Sequence, residues 1–304
     1  MDFEKVLQEL PSHIKDLYGK GKVADYIPAL ACVSADKFGM TIKTVSGDTY
    51  SIGDCEERFS IQSISKVFTL SLAMGFAGDE LWRRVGREPS GNAFNSLVQL
   101  EYEKGKPRNP FINAGALVIS DILVSNLDDP KKSLLDYMKV LCGSFEISFD
   151  TNVATSEAET GYINRALANF LKGKNNLHND VDEVMDLYFH QCAIAMTCSE
   201  LATASMFLAN RGVSGAVEET ILTPLQTKRV NSLMLTCGLY DAVGEFAYRV
   251  GLPAKSGVGG GIIAVLPSEY SVAVWSPALE SSSNSLAGGA ALEYLTTVTS
   301  RSVF

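Results

Sequence analysis

The N-terminal segment repeats apolar residues at the spacing of a helix. Phe3, Val6, Leu7 and Leu10 fall on one helical face. Proline has no backbone N–H and crowds the preceding turn, so we expect Pro11 to interrupt this helix. The chain is therefore predicted to begin with a short helix, followed by a further turn or two beyond the proline.

Residues 28–52 change to the pattern of strands. The runs ALACVSA (29–35), GMTIKTV (39–45) and TYSI (49–52) are separated by the turn-like strings DKFG and SGD. These three runs predict a β-meander. The polar loop GDCEER follows, and FSIQ then leads into SISKVFTLSLAMGF, where the apolar residues are again spaced as in a helix.

The middle of the chain, residues 79–215, is mainly helical in pattern. Several segments have apolar faces of period 3.6 and end at Gly, Asn, Asp or Pro. These segments are 134–142, 157–171, 181–194 and 198–210. Another helix, led by Thr223–Pro224, is predicted at 222–238.

Strands return near the C-terminus. GGGIIAVLP and YSVAVWSP flank the turn PSEY and predict a hairpin, and SLAGGAALEYLTTVTS closes the chain as a helix. Strands from both ends of the chain can share one antiparallel sheet, with a helical lobe inserted between them. The sequence therefore predicts an α/β (α+β) fold.

We expect this fold to be divided into two lobes. Residues 1–75 and 216–304 are predicted to form the sheet lobe, and residues 76–215 the helical lobe. Clefts between lobes are favoured places for small-molecule sites, so the active site is predicted to lie there.

Composition and charge exclude several classes of function. The 304 residues are 46% hydrophobic and 20% charged, as in a globular protein whose core needs no metal or disulfide. The net charge is -9 and no basic stripe is present, so nucleic acid is not an expected partner. No signal peptide is evident and no apolar run reaches about eighteen residues, so we expect a cytoplasmic protein without membrane association.

The cysteines and histidines argue against a metal site and against a Ser-His-Asp triad. No two cysteines form a CxxC pair and no histidine lies at metal spacing from one, so zinc is not expected. The cysteines are expected to be reduced thiols. The three histidines, His13, His178 and His190, lie in polar stretches or on a predicted helix rather than in a setting typical of a catalytic base.

The strongest chemical signal is the string FSIQSISKVF. Ser63 lies near a junction of loop and helix, and Lys66 faces the same side one turn further on. A serine needs a base to accept its proton, and a desolvated lysine, whose pKa falls, can be that base. Spacing alone is weak evidence, since Ser34 and Lys37 repeat it in a turn.

Two further features favour a serine site. Lys66 lies within the apolar helix face from Ile64 to Leu70, where a surface lysine is not expected. Lys255–Ser256–Gly257 forms a K-[ST]-G triplet, which lines the same cleft as SxxK in penicillin-recognising acyl-transfer enzymes. A glycine-rich turn is the alternative interpretation of the triplet, but the two motifs together indicate one shared site.

Ordered strings along nearly the whole chain match a known family. They are GKVADYIPAL, FSIQSISKVF, EPSGNAFNS, NPFINAGA, SEAETGYINRALA, YFHQCAI, MLTCGLYDAVGEFAYRVG and GLPAKSGVGGG. On these strings the chain closely resembles the bacterial serine-dependent glutaminases, which share the fold of serine β-lactamases. The resemblance implies hydrolysis of L-glutamine to L-glutamate and ammonia through a serine acyl-enzyme, without a metal or organic cofactor, by a homodimer or homotetramer.

The resemblance also implies a set of site residues. Ser63 corresponds to the nucleophile, Lys66 to the lysine beside it, and Val258 to the residue whose N–H joins that of Ser63 in an oxyanion hole. Further residues correspond to those around the bound glutamine: Tyr26, Gln62, Asn113, Glu157, Asn164, Tyr188 and Tyr240.

These residue types suit glutamine. The carboxylate of Glu157 is a natural partner for the ammonium, and the amides of Asn113 and Asn164 can donate to a carboxylate and to an amide oxygen. Glu157 and Asn164 are seven residues apart, so we expect them to share one face of a helix. Tyr188 and Tyr240, with Tyr26, are expected to close the pocket and relay protons.

Several alternatives stay open at this point. Glu157 could instead be a solvated helix residue, and Asn113 could be a helix cap. Tyr188 could be a core residue, and Tyr240 could be an aromatic residue of a turn. The proton of Ser63 goes either to Lys66 directly or to Tyr240 assisted by the lysine. The alternative functions are hydrolysis of β-lactams or D-Ala peptides, and binding by a catalytically inactive relative.

Overall fold

The computed structural model describes residues 2–91 and 93–304. The strands are β1 (Gly39–Thr44), β2 (Thr49–Gly53), β3 (Phe59–Ser60), β4 (Ser148–Phe149), β5 (Ile194–Met196), β6 (Ala254–Ser256), β7 (Gly261–Leu266) and β8 (Tyr270–Trp275). The α-helices are α1 (Phe3–Ile14), α2 (Ser65–Ala77), α3 (Leu81–Arg84), α4 (Leu97–Tyr102), α5 (Asn113–Asn126), α6 (Pro130–Cys142), α7 (Thr151–Thr160), α8 (Tyr162–Gly173), α9 (Val181–Cys192), α10 (Cys198–Ala204), α11 (Met206–Ala209), α12 (Pro224–Cys237), α13 (Val243–Arg249) and α14 (Leu286–Thr299).

One antiparallel sheet joins the two ends of the chain. Its strand order is β2-β1-β8-β7-β6, so the hairpin β7–β8 from the C-terminal part pairs with β1 from the N-terminal part. Gly39 lies opposite Trp275, and Ile42 lies opposite Val272. The predicted α/β (α+β) fold, in which an antiparallel sheet is built from both ends around a helical insertion, is thereby confirmed.

Helices cover both faces of this sheet. α1 and α14 cover one face, where Phe3, Leu7 and Leu295 belong to an apolar cluster that includes the sheet residues Val272 and Val274. The other face packs against the helical region, whose cluster includes Ile64, Leu117 and Trp275. Both layers bury apolar area, which is the main favourable term in holding the fold together.

A shorter, second sheet leads directly to the nucleophile turn. β3 pairs with β5, and β5 pairs with β4, with Ser60 opposite Ala195. The predicted helix 181–194 ends at Cys192, and its last residue, Ile194, belongs to β5. Within the described ranges, no helix combines the length and apolarity needed to cross a bilayer.

Two predictions for the first fifty residues were wrong. Residues 29–35 do not form a strand, because turns with Leu30 N–H and Ala31 N–H donating to the Ile27 carbonyl replace a strand ladder. Pro11 does not interrupt α1 but lies inside it. The proline costs one helical hydrogen bond, while the buried side chains on both sides of it, Leu10 and Ile14, hold the helix against the sheet layer.

Two predicted helices are divided. Residues 157–171 do not form one helix, since α7 ends at Thr160 and α8 begins at Tyr162. At Gly161, between them, a Cβ would lie 2.6 Å from the Glu157 carbonyl oxygen and 2.6 Å from the ring of Phe189. Residues 198–210 are divided at Ser205 into α10 and α11.

The corner at Gly161 gives the first testable prediction. Gly161→Ala should lower the free energy of unfolding by about 1–3 kcal/mol, the usual cost of overpacking, because Phe189 or α7 must shift. Gly173→Ala is the matched control: a Cβ there meets no atom within 4 Å, so the substitution should be neutral or slightly stabilising. Urea unfolding of both variants tests this, and equal stabilities would contradict the steric account.

Candidate active site

The nucleophile turn lies where β3 passes into α2. Residues Gln62–Ile64 form a 3-10 turn that continues into α2, so Ser63 lies at the predicted junction of loop and helix. Gln62 has a φ of 49°, the left-handed region that non-glycine residues rarely adopt. Its carbonyl accepts a 2.7 Å hydrogen bond from Ser65 Oγ, which helps to hold this strained conformation.

The K-[ST]-G triplet lies against this turn. Lys255 and Ser256 are in β6, the edge strand of the main sheet, and Gly257 follows. A Cβ on Gly257 would come within 2.5 Å of the Ile61 carbonyl oxygen and 3.3 Å of the Ser63 nitrogen. Glycine is therefore required for the backbone leading into residue 258 to approach the backbone of Ser63.

Lys66 is enclosed by protein. Its residue is 1% exposed, and its Nζ donates to Asn113 Oδ1 at 2.6 Å and to the Phe111 carbonyl at 3.4 Å. The ammonium also lies 6.0 Å from the centre of the Tyr188 ring. Burial lowers the pKa of Lys66 to about 8, so about a tenth of the amine is neutral at pH 7.

The turn before α5 presents both acceptors to Lys66. Asn109 Oδ1 accepts hydrogen bonds from the N–H groups of Phe111 and Ile112 at 3.0 and 3.1 Å, which fixes the turn. A Cβ on Gly115 would lie 1.9 Å from the Asn109 carbonyl oxygen, so only glycine fits there. This local chemistry explains why the string NPFINAGA places Asn113 at the first position of α5.

A hydrogen-bonded chain connects Lys66 with the neighbouring helix α8. Asn113 Oδ1 accepts from Lys66, and Asn113 Nδ2 donates to Asn164 Oδ1 at 2.9 Å. Since Lys66 holds the oxygen of Asn113, the amide nitrogen must face Asn164. The oxygen of Asn164 is thereby occupied, and its NH2 group remains as a donor.

Glu157 is the carboxylate of the site, and it lies on α7. It does not share a helix with Asn164, contrary to the prediction, because Gly161 divides the two helices. Glu157 is buried, and this burial raises its pKa to about 7, against the opposing effects of Lys66 and of a hydrogen bond from Gln62. A carboxylate so placed favours a cationic ligand group.

Tyr240 lies between the nucleophile turn and β6. Its φ is 55°, its hydroxyl donates to the Ser256 carbonyl at 3.5 Å, and Lys255 Nζ lies 4.6 Å from the centre of its ring. The ring of Phe94 packs against the Tyr240 ring at a centroid distance of 4.7 Å. Burial raises the pKa of Tyr240, although a hydrogen bond with Ser63 partly opposes the shift, so its phenol is neutral near neutral pH.

A cavity of about 220 Å³ unites most of the predicted residues. The predicted residues on its wall are Tyr26, Gln62, Ser63, Asn113, Glu157, Asn164, Tyr188 and Val258. Lys66 and Tyr240 contact residues of this wall: Lys66 hydrogen-bonds to Asn113, and the ring of Tyr240 packs against that of Phe94. The geometry therefore gathers these residues around one cavity that has a hydroxyl and a carboxylate on its wall.

Sequence reasoning missed other residues on the cavity wall. They are Ile27, Phe94, Asn95, Thr160, Gly161, Ile163 and Cys192. Phe94 and Asn95 lie in EPSGNAFNS, one of the strings that carried the family resemblance, and this string was the available signal. Phe94 is also tied to the site through its carbonyl, which accepts from the N–H of Asn113 at 2.9 Å.

The fold and the buried serine–lysine pair define the class of protein. An antiparallel sheet flanked by helices, with an SxxK turn facing a K-[ST]-G edge strand, has the organisation of the serine β-lactamase-like fold. The Glutaminase family model matches residues 21–304, and the chain belongs to this family. Family membership favours the glutaminase prediction over the alternative substrates of the same fold.

Similar proteins cover the whole chain. A glutaminase of Paraburkholderia phytofirmans is 54% identical over 304 residues, covering 100% of both chains. The crystal structure of a probable glutaminase of Bacillus subtilis is similar, with a TM-score of 0.91 at 34% identity, covering 100% of this chain and 98% of that one. A structure of a probable glutaminase from Bacillus subtilis complexed with 6-diazo-5-oxo-L-norleucine matches with a TM-score of 0.88 at 34% identity, covering 98% of this chain and 96% of that one.

The raised pKa of Glu157 predicts a pH-dependent cost to stability. The folded protein holds this proton up to about pH 7, whereas the unfolded chain loses it near the ordinary glutamate pKa of 4.5. The free energy of unfolding therefore falls, through this group, as the pH rises across that window. Glu157→Gln keeps the neutral form, so its stability relative to the parent should increase by about 3 kcal/mol between about pH 4 and about pH 8.

Urea unfolding at the two pH values measures this difference. Glu159→Gln on the exposed surface of the same helix is the matched control and should show little change in relative stability. If the stability of Glu157→Gln relative to the parent rose no more between the two pH values than that of the control, the Glu157 carboxyl would not titrate as its burial requires.

Proposed function

We propose that this protein is a glutaminase that hydrolyses the side-chain amide of L-glutamine to L-glutamate and ammonia, with Ser63 as its nucleophile. The observation that carries the proposal is the enclosure of Lys66, next to the Ser63 turn, behind a cavity that also has the buried carboxylate of Glu157 on its wall. Membership of the glutaminase family supports the choice of substrate.

Recognition of the substrate uses its two charged ends. The ionised carboxylate of Glu157, which is buried at the cavity wall, pairs with the α-ammonium group through a charge-assisted hydrogen bond. The NH2 group of Asn164 donates to the α-carboxylate, because its oxygen is already held by Asn113. Tyr26 and Tyr188 line the same cavity and complete the enclosure of the bound amino acid.

The side-chain amide is thereby directed to Ser63. We assign the role of base to the neutral amine of Lys66, whose pKa of about 8 suits proton transfer near neutral pH. Tyr240 remains a neutral phenol beside Ser63 and passes the proton as a relay rather than acting as a phenolate base. This assignment places Lys66 as the proton acceptor and Tyr240, with Tyr188, as hydrogen-bonding partners of the reacting atoms.

Acylation follows from this arrangement. Ser63 Oγ attacks the side-chain carbonyl carbon, and the resulting oxyanion accepts hydrogen bonds from the N–H groups of Ser63 and Val258. The close approach of Gly257 to the Ser63 nitrogen supports this pairing of donors. The serine proton passes to the leaving nitrogen, the C–N bond breaks, ammonia departs, and a γ-glutamyl ester remains on Ser63.

Deacylation repeats the sequence with water. Lys66 accepts a proton from the attacking water, the same oxyanion hole stabilises the second tetrahedral intermediate, and the proton returns to Ser63 Oγ as the ester C–O bond breaks. L-Glutamate is released. The reaction needs neither a metal nor an organic cofactor, since protein groups supply both the base and the oxyanion donors.

The wider setting of the enzyme is part of the same proposal. The site lies in a cleft between a sheet lobe, residues 1–75 and 216–304, and a helical lobe, residues 76–215. The free cysteines fit a reducing, cytoplasmic compartment. The family resemblance suggests that the active form is a homodimer or homotetramer.

Loss of the Ser63 hydroxyl tests the assignment. Ser63→Ala should reduce ammonia release from glutamine by more than about a thousandfold, because acylation then lacks its nucleophile, while thermal unfolding is unchanged. Ser34→Ala removes the serine of another SxxK string and should keep full activity. A Ser63→Ala protein that releases ammonia at the parent rate would refute the mechanism, and a parent protein that releases none would support the catalytically inactive alternative.

A further inference from the structure

Ser60 lies at the end of β3, three residues before the nucleophile, and is not among the residues that sequence reasoning assigned to the site. Its residue is 7% exposed. Its Oγ donates to the Cys192 carbonyl at 2.7 Å and accepts from Gln62 Nε2 at 2.9 Å. Ser60 therefore connects the nucleophile turn with the end of α9 through a buried hydroxyl.

The direction of this chain is fixed by chemistry. A carbonyl oxygen can only accept, so the single hydroxyl hydrogen of Ser60 must point to Cys192. The Ser60 oxygen is then left as an acceptor towards Gln62. Only the NH2 side of the Gln62 amide can satisfy it, because the carbonyl side would place two acceptors against each other.

Neighbouring backbone limits the conformations that the Gln62 side chain can adopt. A Cβ on Gly257 would lie 3.2 Å from Gln62 Cβ, and a Cβ on Gly259 would lie 2.5 Å from the Ser60 carbonyl oxygen and 3.5 Å from Gln62 Cγ. The backbone and the stem of the glutamine are therefore packed against the glycine loop. Rotation of the terminal amide is the freedom that remains, and Ser60 controls it.

The orientation of this amide matters to the neighbouring carboxylate. Gln62 and Glu157 both line the cavity, and the neighbouring Gln62 amide lowers the pKa of the Glu157 carboxyl, against the effect of burial. A reversed amide would present an oxygen to the carboxylate, which disfavours the charged form. The ionised form of Glu157 is the one that binds an ammonium group.

We propose that Ser60 is a positioning residue, which holds the Gln62 amide in the orientation that keeps Glu157 an ionised partner for the α-ammonium group of the substrate. The inference rests on the proposed function. Ser60 touches neither the substrate nor the reacting atoms, and it acts through Gln62.

Other titratable groups face Glu157 as well. They are Lys66 on α2, Tyr188 and Cys192 on α9, and Tyr26 and Tyr240 in the adjoining loops. Among these residues, Ser60 bonds only the backbone carbonyl of Cys192, so its replacement removes no side-chain hydrogen bond of these groups. A change in the pH dependence of substrate binding in a Ser60 variant therefore reports on the Gln62 amide.

The test compares steady-state ammonia release by the parent and by Ser60→Ala across a pH series. At neutral pH, Ser60→Ala should raise KM for glutamine about tenfold, the scale of one buried hydrogen bond, while kcat changes little. The acid limb of kcat/KM should move to higher pH, because Glu157 then holds its proton longer. Ser60→Thr, which keeps the hydroxyl, should restore the parent values.

Two controls separate this role from a merely structural one. Ser71→Ala removes a buried hydroxyl that bonds the Val67 carbonyl on α2, and it should leave KM and the pH profile unchanged. In a double-mutant cycle, Ser60→Ala should add no further rise in KM to a Gln62→Leu protein, because both changes act through one amide.

The outcomes are distinct. A Ser60→Ala protein with the parent KM and acid limb, or with a lower melting temperature as its sole change, would overturn the inference. The inference would also be overturned if the rises in KM caused by Ser60→Ala and Gln62→Leu were fully additive in free energy. Failure of the proposed function has another signature: the parent itself would then release no ammonia, or would release it independently of Ser63.

Discussion

A lysine amine enclosed in an apolar interior is the constraint on which the rest of this structure depends. Lys66 Nζ has lost nearly all contact with water and is held by Asn113 Oδ1 at 2.6 Å. Burial of an ammonium is costly, and the protein responds with a lowered pKa rather than with a directly bonded carboxylate. Burial of Lys66 thus lowers the stability of the folded protein, but it leaves part of the amine neutral and able to accept a proton near neutral pH.

The architecture supplies this enclosure from several elements. α2 carries Lys66, the first turn of α5 presents Asn113, and α9 places the Tyr188 ring over the amine. The chain from Lys66 through Asn113 to Asn164 also decides which side of the Asn164 amide is free. One buried charge thus orients the base and a substrate contact together, which is the kind of preorganisation that catalysis requires.

Much of this arrangement was predictable from local sequence. The β7–β8 hairpin, the shared sheet and the position of Ser63 at a loop–helix junction follow from turn residues and apolar periodicity. The division at Gly161 was not predictable in this way, because 157–171 keeps a helical period and the break depends on contact with Phe189. The strand predicted at 29–35 failed for a related reason, since short apolar runs do not reveal their tertiary partners.

Buried polar contacts were the least accessible to sequence reasoning. Nothing in the letters around Ser60 distinguishes it from other strand serines, and its role depends on the Cys192 carbonyl, far away along the chain. Phe94 likewise joins the site through a backbone bond to Asn113 and a ring contact with Tyr240. Sequence patterns predict helices, strands and candidate titratable residues. The orientation of amide and hydroxyl groups depends on contacts between distant segments, which only the folded structure shows.

The most direct test of the account is the rate at which 6-diazo-5-oxo-L-norleucine labels Ser63 in the parent and in Lys66→Met, followed by mass spectrometry of the peptide that carries residues 59–70. The account predicts covalent labelling of Ser63 in the parent, with loss of dinitrogen from the inhibitor, and almost none in Lys66→Met. Labelling of Lys66→Met at the parent rate would show that Ser63 does not depend on the buried amine.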